Sequence, residues 1–82
     1  MQPKAMQERF ATLAARVASE RDRSAFAELY DHFAPRILGY LLRLGLERGP
    51  AEELTQEVMV VLWQKANLFD PAKSSLSTWL FR

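Results

Sequence analysis

Cysteine is absent from the 82 residues. That excludes a disulfide scaffold, a zinc ribbon and a thiol nucleophile, and it agrees with a chain kept in a reducing cytosol. Histidine occurs once, as His32, so there is no imidazole pair to hold a metal, and no serine sits at a nucleophile elbow. No catalytic residue, metal site or cofactor is therefore expected, and the chain does not read as an enzyme. His32 itself is expected to be a solvated or half-buried helix residue. An excess of charge of one sign is lacking too: eleven Lys and Arg against ten Asp and Glu leave +1, too little for a bulk basic field that holds duplex DNA non-specifically. The longest apolar run, Val58 to Trp63, has six residues, against the roughly 20 of a membrane span. Met1 to Phe10 mixes Lys, Glu, Arg and Gln where a signal peptide has an apolar core. A soluble, cytoplasmic chain with no membrane insertion is expected.

What is present is an ordinary globular mixture, 49% hydrophobic and 26% charged, in one small domain whose core must be thin. Exposed apolar residues in such a domain call for a partner.

The periodicity is helical throughout. Met6, Phe10, Leu13, Ala14 and Val17 form one buried stripe and predict a helix over about residues 5–20. Asp22 or Ser24 can accept the first free backbone N–H groups of a second helix. Its apolar set is Phe26, Leu29, Tyr30, Phe33, Ile37, Leu38, Leu41 and Leu44. Pro35 interrupts this set, so a kink near Asp31 to Pro35, or two abutting helices, is predicted. Gly45 and Gly49 bracket a short connection, and Pro50 suits the first turn of a third helix over about residues 50–67, with Glu52 and Glu53 at its positive end. Phe69 to Ser75 reads as a loop, and Ser74 or Ser75 can cap a fourth helix starting at Leu76. No helix terminator precedes Arg82, which reads as the N-terminal piece of something longer. The fold class is all-α, a small bundle of three to four helices with a kinked second helix, divided into an N-terminal helix at 1–21 and a helical domain at 22–82.

Two residue groups point to binding. On the helical wheel of helix three, Leu54, Val58, Met59, Val61, Leu62 and Ala66 share one broad apolar side. The opposite stripe holds Glu53, Gln56, Glu57 and Gln64, yet Val60 falls in its middle and Trp63 on its edge. Bulky apolar groups framed by carboxylates and amides suit a protein-binding surface; packing of Trp63 against the next helix, with the acids merely solvated, is the competing account. The second group is Phe69, Lys73, Ser74, Ser75, Thr78, Trp79, Phe81 and Arg82. Aromatic faces interleaved with cations and hydroxyls can hold bases that have left a duplex. The competing account makes Trp79 a core residue and Phe69 a plug for the loop.

Taken in order, Glu53-Leu54-Thr55-Gln56-Glu57, Lys65-Ala66, Phe69-Asp70 and Leu76-Ser77-Thr78-Trp79-Leu80-Phe81-Arg82 resemble the second conserved region of bacterial sigma factors of the short extracytoplasmic-function class. Ala25-Phe26-Ala27-Glu28-Leu29-Tyr30 with Pro35 is similar to the same class, so the resemblance covers about residues 22–82. It implies a role in transcription initiation. Glu53, Gln56 and Glu57, with Val60 and Trp63 beside them, would face the clamp coiled coil of the largest RNA polymerase subunit. Phe69, Lys73, Ser74 and Ser75 would accept a base flipped from the non-template strand of the minus-ten promoter element, and Thr78, Trp79 and Arg82 would add strand contacts. An anti-sigma factor is the further implied partner. Glu53 stands where many members have Asp, which lengthens the reach by one methylene. A helical protein-interaction domain with no nucleic-acid role is the alternative.

Overall fold

The computed structural model describes residues 4–81. Its elements are α1 (Lys4–Glu20), α2 (Arg23–Arg43), α3 (Arg48–Lys65), a 3-10 turn (Ala66–Leu68) and the short α4 (Leu76–Leu80), the all-α bundle expected from the periodicity.

One core joins every helix. Phe10, Leu13, Ala14 and Val17 of α1 meet Leu29, Phe33 and Ile37 of α2, Met59 and Leu62 of α3, and Leu76 and Leu80 of α4. Helix α1 thus shares its core with α2, α3 and α4, and removing it would strip one wall from a core that is already thin. Met6, the first residue of the predicted α1 stripe, lies outside the core at 38% exposure.

The α1–α2 corner is closed by residues that satisfy backbone groups. Asp22 accepts the Ala25 N–H at 3.1 Å as the N-cap of α2 and pairs with Arg16 at 3.0 Å. That amide, then residual burial and the Arg16 charge, set the Asp22 carboxyl on balance below its ordinary value. Arg21 closes α1 at φ 51, a left-handed position that usually selects glycine. Its guanidinium lies 5.4 Å from the Trp63 ring centroid and donates to the Trp63 carbonyl, contacts that offset the backbone cost and tie this corner to the end of α3.

Helix α2 runs unbroken through Pro35, so two abutting helices are not what this sequence forms. Pro35 and Asp31, whose carbonyl loses its helical donor, both face solvent, where water can satisfy the orphan. One residue on, Arg36 donates to the His32 carbonyl at 2.7 Å. Gly45, at φ 99, ends the segment, its N–H donating to the Leu42 carbonyl at 3.0 Å.

Helix α3 begins two residues before the predicted start, at Arg48, so Glu52 and Glu53 fall in its second turn rather than its first. Glu52 pairs with Arg48 at 3.6 Å, which replaces the expected dipole contact. The helix is also rotated from the predicted wheel. Ala51, Thr55, Met59 and Leu62 face inward, whereas Leu54 and Val61 are 40% and 42% exposed. Small Ala51 and Thr55 allow close approach to α2, and Thr55 donates its hydroxyl to the Ala51 carbonyl at 2.8 Å, so its burial leaves nothing unpaired.

Candidate functional site

The rotation of α3 decides what its outer side presents. Glu53, Gln56, Glu57, Val60 and Gln64 are all exposed, Val60 at 49%, and Trp63 is half-buried. Neither Glu53 nor Glu57 takes part in an ion pair among the described residues. The acids are thus open to an outside partner, and Val60 is an apolar group held in water among them.

Trp63 is both packed and presented. Its ring meets Phe26 edge-on with centroids 5.2 Å apart, and Phe26 meets Tyr30 at 6.0 Å. These three rings, with Val60, Met59 and Gln56, line a groove of about 590 Å³ between α2 and α3. A neighbouring groove of about 460 Å³ continues past Tyr30 and Gln56 toward Pro35 and Glu52. Sequence reasoning placed Phe26 and Tyr30 in the core and missed their part in this groove. The available signal was their i, i+4 spacing opposite the surplus apolar stripe of α3, since two unfilled stripes on packed helices leave a furrow between them.

The second predicted group gathers around the α3–α4 connection. Asp70 shapes it: its carboxylate accepts the Ala72 N–H at 2.9 Å, and its carbonyl accepts from Lys73 and Ser74 at 3.0 and 3.3 Å. Ser75 caps α4, its hydroxyl accepting the Thr78 N–H at 3.2 Å and donating to the Thr78 hydroxyl at 3.0 Å. Phe69 and Trp79 are half-buried against the core, their rings 5.9 Å apart. Lys73 and Thr78 are exposed and Ser74 is half-buried. Phe69, Ser74 and Ser75 open onto a small cavity of about 180 Å³ together with residues of α1. Arg82 lies outside the described residues. The two predicted groups occupy different parts of the molecule: the α2–α3 groove and this cavity share no lining residue.

His32 is wedged between Phe10 and Phe33, at centroid distances of 4.5 and 4.7 Å. Its Nε2 is buried with no hydrogen-bond partner among the described residues. Burial first, and then the Arg36 charge, hold its pKa below the ordinary histidine value. The described residues contain no group of His, Asp and Glu able to hold a metal ion, and no described helix is long and apolar enough to cross a membrane.

Comparison with known proteins identifies the family to which this helical bundle belongs. The Sigma-70 region 2 family model matches residues 29–82; the chain belongs to this family, which is not a family of enzymes. It is 49% identical over 65 residues to the ECF RNA polymerase sigma factor RpoE of Cereibacter sphaeroides, covering 79% of this chain and 36% of the relative. It is 44% identical over 59 residues to the ECF RNA polymerase sigma factor SigK of Mycobacterium bovis, covering 72% and 32%. The crystal structure of Rhodobacter sphaeroides SigE in complex with the anti-sigma ChrR superposes with a TM-score of 0.87 at 41% identity, covering 98% of this chain and 45% of that one. The chain spans about a third of the length of these curated relatives.

Proposed function

We propose that this domain acts in transcription initiation in the cytoplasm by binding two partners at its two surfaces. The outer side of α3, through Glu53, Gln56, Glu57, Val60 and Trp63, docks on the clamp coiled coil of the largest RNA polymerase subunit. The loop and α4, through Phe69, Lys73, Ser74, Ser75, Thr78, Trp79 and Arg82, hold the unpaired non-template strand of the minus-ten element. The observation that carries the first half is the exposure of Val60 among carboxylates that make no ion pair among the described residues, beside a groove walled by three aromatic rings. A coiled coil offering cationic and apolar side chains is the complementary partner.

No covalent chemistry is involved. Docking sets the loop beside the promoter, and a base that leaves the duplex is retained by stacking, at roughly 1–3 kcal/mol per base. Because the loop binds only the unpaired strand, its affinity shifts the closed-to-open equilibrium toward the melted form. An anti-sigma factor that covers the exposed apolar side of α3 would keep the domain from polymerase; family membership and the likeness to a SigE held by ChrR support this.

The test is a titration of the domain with an isolated clamp coiled coil. Gln56→Ala combined with Glu57→Lys is expected to weaken binding about tenfold or more, which is about 1.4 kcal/mol, with the helical signal unchanged. Unaltered affinity would leave the alternative of a helical interaction domain with some other partner.

A further inference from the structure

The cavity beside the loop has one wall that the strand-binding group does not include. Lys4, Gln7 and Glu8 line it from α1, opposite Phe69, Ser74 and Ser75. Residues 4, 7, 8 and 11 fall on one flank of a helix. Burial of Phe10, Leu13 and Ala14 fixes the rotation of α1, which turns that flank toward the loop. Helix α1 lies outside residues 29–82, the part matched by the family model. At about 180 Å³ the cavity falls short of the roughly 300–1,000 Å³ of a drug-sized site and suits a single planar ring.

The walls differ in chemistry. Phe69 offers an aromatic face for stacking. The Ser75 hydroxyl is engaged in capping α4. Glu8 is exposed and in no ion pair among the described residues, so its carboxylate can only accept hydrogen bonds. Lys4 supplies a cation on the same flank, suited to a phosphate.

We infer that the α1 wall reads the captured base, with Glu8 selecting a base that carries an exocyclic amino group on its Watson–Crick edge. This rests on the proposal that the loop captures the unpaired strand. Cytosine, adenine and guanine each offer an amino donor to the carboxylate. Thymine has no amino group there: its one donor, N3–H, is flanked by two keto oxygens that a carboxylate repels. Cytosine and thymine are both pyrimidines but also differ at N3 and in the thymine 5-methyl. The change in their ratio on Glu8→Ala, rather than the ratio alone, therefore isolates the contact to the amino group.

The experiment is fluorescence polarisation of the 82-residue chain with labelled single-stranded oligonucleotides that differ at one minus-ten position, bearing cytosine, thymine or an abasic site. The wild type is expected to bind the cytosine strand about fivefold to tenfold more tightly than the thymine strand. Glu8→Ala, at an exposed position that leaves the core intact, is expected to bring that ratio within about twofold, while Phe69→Ala weakens both strands alike. A cytosine preference that survives Glu8→Ala, or a wild-type preference for thymine, overturns the role of Glu8 and leaves strand capture standing so long as the abasic strand binds more weakly. Equal binding of all three strands, indifferent to Phe69→Ala, overturns strand capture and this inference together.

Discussion

The two tryptophans mark two kinds of surface. Trp63 sits on an 18-residue helix, ringed by Phe26 and tied at its carbonyl to Arg21. Trp79 sits on a five-residue helix whose start is held by one serine cap. Both are half-buried, but their supports differ: the first belongs to helices whose inner faces are the core, the second to a segment too short to be helical by itself. A surface on core helices keeps its shape with or without a partner. A surface on a capped loop can order further as it closes on a strand, so the two should fail separately when broken.

The strongest way to erase the contrast is to remove what both surfaces share. Phe33 is fully buried and meets Phe10 at 4.9 Å. Phe33→Ala is expected to cost about 3–5 kcal/mol, a large part of what so small a domain possesses. Urea denaturation followed by circular dichroism should show the loss, and both binding activities should fall together.

Ser75→Ala sharpens the contrast. Loss of the cap is expected to cost about 1 kcal/mol and to be felt at α4, weakening strand binding while coiled-coil affinity holds. Two-dimensional NMR would localise it: perturbed amides should cluster at residues 70–80 and spare α3 before its last turn.

The smallest effect expected concerns pH. The folded-state pKa of His32 lies below its ordinary 6.5, so the unfolded chain binds the proton more readily than the folded one. Stability is then full above about pH 6.5 and declines as pH falls from there through the folded-state pKa. Asp22, lowered from 3.8, loses its contribution only in more acidic solution. Urea midpoints measured at about pH 7.5 and about pH 5 should fall for the wild type and stay closer together for His32→Phe, with the α2–α3 groove unaffected at both.

Much of the fold was legible because helical spacing and turn residues agreed. The α1 stripe from Phe10 to Val17, the Asp22 and Ser75 caps and the Gly45 stop all appear where the pattern puts them. The differences have separate causes. On α3, apolar residues occur on three sides, so hydrophobicity alone could not find the inner face; small Ala51 and Thr55 win it because helix approach rewards compactness. At Pro35 the sequence leaves a kink and two abutting helices both open, because it does not disclose whether the freed carbonyl will face water; the continuous α2 removes the second alternative. Arg21, in a backbone region that favours glycine, gave no local signal at all, since its reward lies 42 residues away at Trp63.

The candidate site was legible in its outline and not in its walls. Glu53, Gln56, Glu57 and Val60 could be placed together because one helix carries them all. The groove walls from α2 and the α1 flank of the loop cavity depend on which helices become neighbours, which is a tertiary fact.

The independence of the two surfaces is tested most directly by measuring two variants against two ligands in one experiment, Gln56→Ala/Glu57→Lys and Phe69→Ala against the clamp coiled coil and a single-stranded minus-ten oligonucleotide. A crossed result is expected, each variant losing about tenfold for its own ligand and under about twofold for the other. If either variant weakens both ligands equally while remaining folded, the two surfaces act as one and their proposed independence is wrong.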